Sequence, residues 1–276
     1  MSGLGIIAGG GMLPTLLIQQ CQSQKRPFYV ITFESQPKPE EMELADLPHL
    51  ECRLGAVGKV VDTFKKHDID ELVMVGHLSK PSLFDLRPDL KGVKILASLL
   101  HYHDDALLSK VCHYLEDEGF KIVGAHDVIP ELLSEKKNYT KHMPHDDVQR
   151  DIALGVEAAL ALGSLDIGQA VVVKDGVILG VEGVEGTSAL IERCAALRGK
   201  KGQGGILVKC AKPQQNQKVD MPTVGLKTMK QLAEHHYSGL AILEKGALLV
   251  DSDAMVKFAD QEKLFLCGVD ENGQYA

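Results

Sequence analysis

The pattern of apolar and polar positions in the first half of the chain is that of alternating strands and helices. Short apolar runs at 4–8, 28–33 and 72–75 predict strands. In the segments between and after these runs, apolar residues recur every three or four positions, which predicts helices over 14–22, 59–67, 93–101 and 105–118. Strands separated by helices favour a parallel sheet of βαβ units, so the first half is predicted to be a Rossmann-like domain.

The second half has a different rhythm. Two apolar runs at 170–173 and 177–181 flank Asp175 and Gly176, which predicts a β-hairpin with an Asp-Gly turn. Helices are predicted over 148–162, 188–197 and 228–235, and short strands at 205–208, 224–226 and near Leu240, Leu248 and Phe265. This order predicts a mixed α/β domain of uncommon fold.

The stretch between the two halves is polar and has no sustained period. It carries charges of both signs, as in the run SEKKNYTKHMPHDD. Such composition is typical of a segment between domains. We therefore predict an N-terminal domain over 1–135, a linker over 136–147 and a C-terminal domain over 148–276.

Composition narrows the class of protein. The formal charge of −8, the pI near 5.8 and the absence of Trp argue against a nucleic-acid binder. Six scattered cysteines without a CxxC pair indicate a reduced compartment. The N-terminus lacks the features of a signal peptide, and apolar runs fall short of the roughly 18 residues that span a membrane. These observations predict a cytoplasmic protein, at most peripheral to a membrane.

Three glycines, Gly9, Gly10 and Gly11, stand between the first predicted strand and helix. A glycine turn at a helix N-terminus lets the backbone approach a phosphate. The motif is neither GxGxxG, because Pro14 takes the place of the third glycine, nor a P-loop. A tight turn without a ligand remains an equal alternative.

Acidic residues at predicted helix starts are candidates for a metal site. Asp104 and Asp105 can hold Mg²⁺ through carboxylate oxygens, or can simply cap the helix that follows. Glu185 precedes Thr187 at another helix start, where the threonine can cap the helix and the glutamate can be a surface acid. Both readings remain open for each pair.

The most informative segment runs from 193 to 219. It contains no acid and seven cations: Arg193, Arg198, Lys200, Lys201, Lys209, Lys212 and Lys218. Asp220 follows immediately. Cations for phosphate oxygens and a carboxylate for a metal or water suit hydrolysis of a diphosphate. A solvated basic face is the common alternative, but the embedded Gly, Pro and Gln residues favour a shaped loop.

Seven motifs in order along the chain resemble one known family. They are GIIAGGGMLP at 5–14, VGHLSKP at 75–81, DDALL at 104–108, FKIVGAHD at 120–127, LDIGQAVVV at 165–173, VEGVEGTSALIERC at 181–194 and KCAKPQQNQKVDMPTVG at 209–225. Together they are similar to the UDP-2,3-diacylglucosamine pyrophosphatases of bacteria that lack the calcineurin-like enzyme for the same step. Motifs of calcineurin-like and Nudix enzymes and a GxSxG elbow are absent from the sequence.

The resemblance implies a Mg²⁺-dependent hydrolase of lipid A synthesis. Water would attack the β-phosphorus of UDP-2,3-diacylglucosamine, a glycolipid nucleotide held between two domains, and UMP and 2,3-diacylglucosamine 1-phosphate (lipid X) would leave. The aspartate that matches Asp220 is essential for turnover in that family. A homodimer and peripheral contact with the inner membrane are expected by the same route.

The resemblance and the residue types together give an expected site. Asp220 with Glu185 or Asp104 would place Mg²⁺, and Lys209, Lys212 and Lys218 would neutralise phosphate oxygens. Expected substrate contacts are Gly9, Gly10, Gly11, Lys80, Gln215 and Thr187.

The sequence departs from the family pattern at three positions. His103 precedes the acidic doublet in place of Gly, Asn216 replaces an acid, and Lys218 replaces Arg. The last change keeps the charge but loses the bidentate fork of arginine. Asn216 puts a metal-ligand role for that position in doubt, whereas Asp220 is retained.

Two other function classes stay open from the residues alone. A dinucleotide-binding oxidoreductase would bind NAD(P) on the glycine turn and use an acid after the second strand, where Glu34 stands. A non-catalytic module that senses a nucleotide would not need Asp220. The basic segment that ends in Asp220 favours hydrolysis over both.

Overall fold

The computed structural model describes residues 2–79, 89, 104–198, 203–214 and 216–275. They form two compact units. The first comprises Met1–Pro130 with Asn216–Asp220, and the second comprises Glu131–Gln215 with Met221–Ala276. The predicted helix over 93–101 lies outside the described residues.

The first unit is built on a parallel sheet, as predicted, and this sheet has five strands. Its strands are β1 (Gly3–Ala8), β2 (Phe28–Phe33), β3 (His49–Cys52), β4 (Ile69–Val75) and β5 (Lys121–Ile122), in the order β3-β2-β1-β4-β5. Its described helices are α1 (Met12–Ser23), α2 (Val57–Lys66), α3 (Asp104–Asp117) and α4 (Ala125–Val128). The strand order reverses between β1 and β4, which is where ligands bind in open α/β sheets.

The second unit contains a mixed sheet and a small parallel pair. Its strands are β6 (Ala170–Lys174), β7 (Val177–Val181), β8 (Ile206–Lys209), β9 (Thr223–Gly225), β10 (Gly239–Leu243), β11 (Leu248–Val250) and β12 (Phe265–Val269). The five-stranded sheet has the order β12-β10-β8-β6-β7, with β6 antiparallel to both neighbours, and β9 pairs with β11. The predicted mixed α/β architecture is thereby confirmed.

Helices cover both faces of this second sheet. They are α5 (Asp146–Ser164), α6 (Gly186–Leu197), α7 (Leu226–Glu234) and α8 (Ser252–Glu262). Helix α5 packs Ile152, Val156 and Ala159 on one face, and residues of the other three helices form the core on the opposite face. Gly155 permits the close approach of α5, because a Cβ atom there would clash with the Val208 side chain.

The predicted hairpin is present between β6 and β7. Asp175 and Gly176 have φ values of 53° and 75°, as an Asp-Gly turn requires. The buried carboxylate of Asp151 accepts hydrogen bonds from both backbone N–H groups, at 2.9 and 2.6 Å. Helix α5 therefore fixes the turn through this side chain.

The segment predicted as a linker, 136–147, belongs to the second unit. Asn138 forms an antiparallel bridge with Cys267 of β12, and the Tyr139 N–H donates to Leu266 O at 2.9 Å. Before α5 begins at Asp146, the segment forms no helix, and residues 137–139 bond to β12 instead, which explains the missing period in the sequence. Within the described part of the chain, no helix is long and apolar enough to cross a membrane.

Candidate functional site

Two strands of the second unit end at the same edge of the sheet and bring charged residues together there. Strands β7 and β8 both pair antiparallel with β6, so they run in the same direction. Glu182 follows the last residue of β7, and Lys209 is the last residue of β8. Thr187 lies beside them in the first turn of α6.

A chain of hydrogen bonds connects these side chains. The Thr187 hydroxyl donates to Glu182 Oε1 at 2.5 Å. Lys209 Nζ lies 3.4 Å from Thr187 Oγ1 and 3.3 Å from the carbonyl oxygen of Thr223. An ammonium group only donates, so Thr187 accepts from Lys209 and gives its single proton to Glu182.

The two charged residues of this hydrogen-bonded group, Glu182 and Lys209, are buried. Glu182 and Lys209 are each 6% exposed. Burial lowers the pKa of the Lys209 ammonium, and the Glu182 carboxylate opposes this shift. Two of the three N–H groups of Lys209 have protein acceptors, and the third has none among the described residues. The ammonium therefore has one N–H left to donate to an oxygen of a ligand.

The other described cations of the basic segment contact either acidic side chains or backbone carbonyl groups. Lys212 Nζ lies 2.6 Å from Asp166 Oδ1. Arg193 pairs with Glu185 at 2.9 Å. Arg198 is buried and donates to backbone carbonyl groups, which is a structural role that the sequence did not reveal. Lys200 and Lys201 lie outside the described residues.

Asp220 and Lys218 belong to the first unit, in the short segment Asn216–Asp220. The Asp220 N–H donates to Asn216 O at 2.9 Å, and the Lys218 N–H donates to Asn216 Oδ1 at 3.1 Å. Val219 packs against the apolar cluster that contains Cys112 of α3. Asn216, which replaces an acid of the family pattern, therefore shapes the turn that precedes Asp220.

The glycine turn in the first unit is held closely against the end of β4. The Gly9 N–H donates to Val75 O at 2.8 Å, and Gly10 exchanges backbone hydrogen bonds with His77 at 2.9 and 3.0 Å. A Cβ atom on Gly9 would lie 2.5 Å from His77 O. Close packing therefore accounts for the first two glycines. Gly11 precedes α1 with φ of 100°, and a Cβ atom there would lie 3.8 Å from His77 Nδ1, an ordinary contact. Its backbone conformation, rather than lack of space, therefore favours glycine at this position.

The remaining predicted site residues are placed as follows. Glu185 accepts from Arg193 and, at 3.1 Å, from the Gly183 N–H. A hydrogen bond from its own backbone N–H, followed by Arg193, lowers the pKa of Glu185. Asp104 is the first residue of α3, and its side chain lies outside the described residues, as do Lys80 and Gln215. Within the described ranges, no group of three or more His, Cys, Asp or Glu residues is arranged to hold a metal ion.

Glu182 was not predicted from the sequence. Its signal was its position, directly after an apolar strand and five residues before Thr187. The Gln169 N–H, which donates to Glu182 Oε2 at 3.1 Å, holds the carboxylate from the opposite side. The contact between Gln169 and Glu182 could have been predicted only from the pairing of β6 with β7 at the edge of the sheet.

A Rossmann-like unit with a parallel sheet and a second unit with a mixed sheet define a two-unit α/β protein. The LpxI N-terminal domain matches residues 3–132, and the LpxI C-terminal domain matches residues 135–267. The chain therefore belongs to the LpxI family, which confirms the resemblance.

The UDP-2,3-diacylglucosamine pyrophosphatase LpxI of Caulobacter vibrioides is 37% identical over 279 residues, which cover 98% of this chain and 98% of that protein. CobK precorrin-6A reductase is 13% identical and covers 96% of this chain and 85% of its own, with a TM-score of 0.29. A likeness at that TM-score supports no argument about function.

Proposed function

We propose that the protein hydrolyses the diphosphate of UDP-2,3-diacylglucosamine to UMP and 2,3-diacylglucosamine 1-phosphate, with Mg²⁺, as a step of lipid A synthesis. The observation that carries the proposal is the 37% identity with the Caulobacter relative of that name, over 98% of both chains. The fixed ammonium of Lys209 is the feature of the site that best suits a phosphate ligand.

The lysines have an electrostatic role in this proposal. Lys209 would bind a non-bridging phosphate oxygen with its remaining N–H, and Lys212 and Lys218 would neutralise further charge. Such cations act more strongly on charge that develops in the transition state when they are fixed and shielded from water. Phosphoryl transfer depends mostly on positioning and electrostatics, so this is chemistry that the three lysines can supply.

Asp220 would orient the attacking water and hold Mg²⁺. Mg²⁺ usually keeps several waters and binds one or two carboxylates together with substrate phosphates, so a cluster of three protein acids is not required. Asp220 and Asp104, both in the first unit, fit this mode by residue type. Glu185 would first have to release Arg193. Bound Mg²⁺ would neutralise the diphosphate and polarise it for attack.

The N-terminal unit would take the nucleotide. Gly11 and the start of α1 lie at the carboxyl end of β1, beside the reversal of strand order. Lys80 and Gln215 remain proposed substrate contacts, together with the close-packed Gly9 and Gly10.

The same proposal includes a cytoplasmic location, a homodimer and peripheral contact with a lipid-containing surface. Leu165, Ile167 and Val184 are exposed apolar side chains in the two segments that flank Glu182. Gly168 approaches the Glu182 backbone closely, so the two segments are neighbours. Apolar side chains at this edge support peripheral contact with the membrane that holds the substrate.

The first test is turnover by the purified protein. UDP-2,3-diacylglucosamine is incubated with Mg²⁺, with and without EDTA, and UMP and the lipid monophosphate are measured. We expect both products only with Mg²⁺, and a loss of several orders of magnitude in Asp220→Ala. Asp46→Asn, at an exposed loop position of the same unit, is the control. A folded protein that releases neither product, or an Asp220→Ala enzyme with normal turnover, would contradict the proposal.

A further inference from the structure

Glu182, a buried carboxylate that is not among the expected site residues, is linked through Thr187 to Lys209, the residue proposed to bind phosphate. Glu182 Oε1 accepts the only proton of the Thr187 hydroxyl, at 2.5 Å. The lone pairs of Thr187 Oγ1 are then left to accept from the Lys209 ammonium, 3.4 Å away. Thr187 consequently has no proton to donate to a substrate oxygen while this bond lasts, and its function is to hold Lys209.

The opposite side of the ammonium is fixed by the main chain. The Thr223 carbonyl accepts from Lys209 at 3.3 Å, at the first residue of β9. The Gln169 N–H holds the second oxygen of Glu182 at 3.1 Å. Glu182 is thus anchored at one oxygen and acts on Thr187 with the other, and two acceptors set the direction of the third N–H of Lys209.

Burial makes this arrangement electrostatically necessary. Lys209 is 6% exposed, and a buried ammonium group is costly without a nearby negative charge. Glu182, also 6% exposed, supplies that charge through the shared threonine. Removing the carboxylate would leave Lys209 both misdirected and poorly stabilised as a cation.

We propose that Glu182 is a positioning residue, which orients Lys209 through the Thr187 hydroxyl so that one N–H is directed at a phosphate oxygen of the substrate. This inference rests on the proposed function of Lys209. It assigns Thr187 a supporting role instead of direct substrate binding.

The test is a double-substitution cycle that reads kcat and KM. We expect Glu182→Gln and Thr187→Val each to lower kcat by about 10- to 100-fold, by analogy with the loss when a hydrogen-bond partner that orients a metal ligand is removed. KM should change less than about threefold, because the Lys209 ammonium would act mainly on the charge that develops on the phosphate in the transition state. Thr187→Ser keeps the hydroxyl and should restore most of the activity of the wild type.

The decisive comparison uses the Lys209→Met background. If Glu182 acts through Lys209, adding Glu182→Gln to Lys209→Met should change kcat by less than about twofold. A full additional loss in the double variant would overturn the inference, since Glu182 would then act by another route. Normal kcat in both Glu182→Gln and Thr187→Val would overturn it as well.

Controls separate this inference from folding and from the proposed function. Circular dichroism and thermal unfolding are recorded for each variant, and Thr187→Val replaces Glu182→Gln if the latter does not fold. Glu192→Gln, at an exposed position of α6, should have normal kcat. An inactive wild type would contradict the proposed function, whereas an active wild type with unaffected variants would contradict only the role of Glu182.

Discussion

The guanidinium of Arg198 lies over the ring of Tyr237, 4.2 Å from its centroid. Arg198 also donates to the carbonyl oxygens of Gly204, at 2.6 Å, and of His235 and His236. The Tyr237 hydroxyl donates in turn to Ile191 O at 2.8 Å. A residue of the basic segment therefore ties the end of α6 to the start of β8 and the end of α7.

Arg198→Lys should reduce stability without a comparable effect on turnover. Lysine keeps the charge but cannot donate to three carbonyl groups in the plane of a guanidinium, so we expect a loss of about 2–4 kcal/mol in the free energy of unfolding. Urea unfolding measures the loss, and kcat is measured well below the unfolding midpoint. Lys227→Arg, at an exposed position of α7, is the control for an exchange between lysine and arginine. Native stability with lost turnover would instead indicate contact with substrate.

Gly11→Ala should weaken nucleotide binding. The φ of 100° with ψ of 178° is a conformation that residues with a Cβ atom rarely adopt, at a cost of about 1–3 kcal/mol. If the start of α1 binds the diphosphate, the displaced backbone should raise the Kd for UDP by about tenfold or more, as measured by calorimetry. Gly119, with φ of 98° and open space around it, is the matched control. Equal effects of both substitutions on UDP affinity would argue against a ligand at this turn.

The sheet of the first unit could be predicted because its central strands are buried on both faces and read as continuous apolar runs. Strand β3 was missed, since His49 and Glu51 interrupt its four residues at the edge of the sheet. The segment 136–147 was read as a linker because its order comes from bonds to β12, which leave no periodic pattern. Contacts between segments that are distant in sequence thus determine the structure where the local sequence pattern does not predict it.

The basic segment shows the same limit for the site. The sequence identified a cation-rich loop that ends in Asp220, but it could not separate Arg198, which supports the fold, from Lys209, which is held for a ligand. Charge alone carries no information about burial. Glu182 was missed for the same reason, because only the pairing of β6 with β7 and β8 brings it to Lys209.

The requirement for Mg²⁺ should depend on Asp220 and not on Glu185. The Glu185 carboxylate already accepts from Arg193 and from the Gly183 N–H, so a cation would have to displace Arg193. We expect the Mg²⁺ concentration for half-maximal rate to be unchanged in Glu185→Gln and raised in Asp220→Asn. A raised requirement in Glu185→Gln, with no change in Arg193→Met, would restore Glu185 as a ligand.

The thiols of the native protein should be unreactive. All six cysteines are buried. Burial raises the pKa of Cys210 and of Cys267 to about 12 and that of Cys112 to about 11, so little thiolate is present at neutral pH. We expect slow labelling by an aromatic disulfide reagent in buffer, labelling of all six thiols in urea, and unchanged turnover after treatment of the native protein. Rapid native labelling of one thiol would show an opening of the core that contains it.

Glu71 should make stability depend on pH in the acid range. Its carboxylate lies 2.8 Å from Lys121 and 2.5 Å from Arg26, and the hydrogen bond from Lys121, together with that from Arg26, lowers its pKa below the ordinary value of 4.5. A carboxyl group whose pKa is lowered in the folded state stabilises that state above its unfolded pKa. This stabilisation is lost as pH falls through the folded pKa, because the unfolded chain takes up the proton first.

Glu71→Gln removes this contribution and leaves two cations without their acid. We expect its free energy of unfolding at pH 7 to be lower by about 1–2 kcal/mol, and to fall less steeply than that of the wild type between about pH 5 and pH 3. Urea unfolding over that range measures both quantities. Glu43→Gln, at an exposed loop position, should follow the wild-type curve. Parallel curves for Glu71→Gln and the wild type would mean that the two ion pairs contribute nothing to acid stability, because solvent already screens them as it does fully exposed pairs.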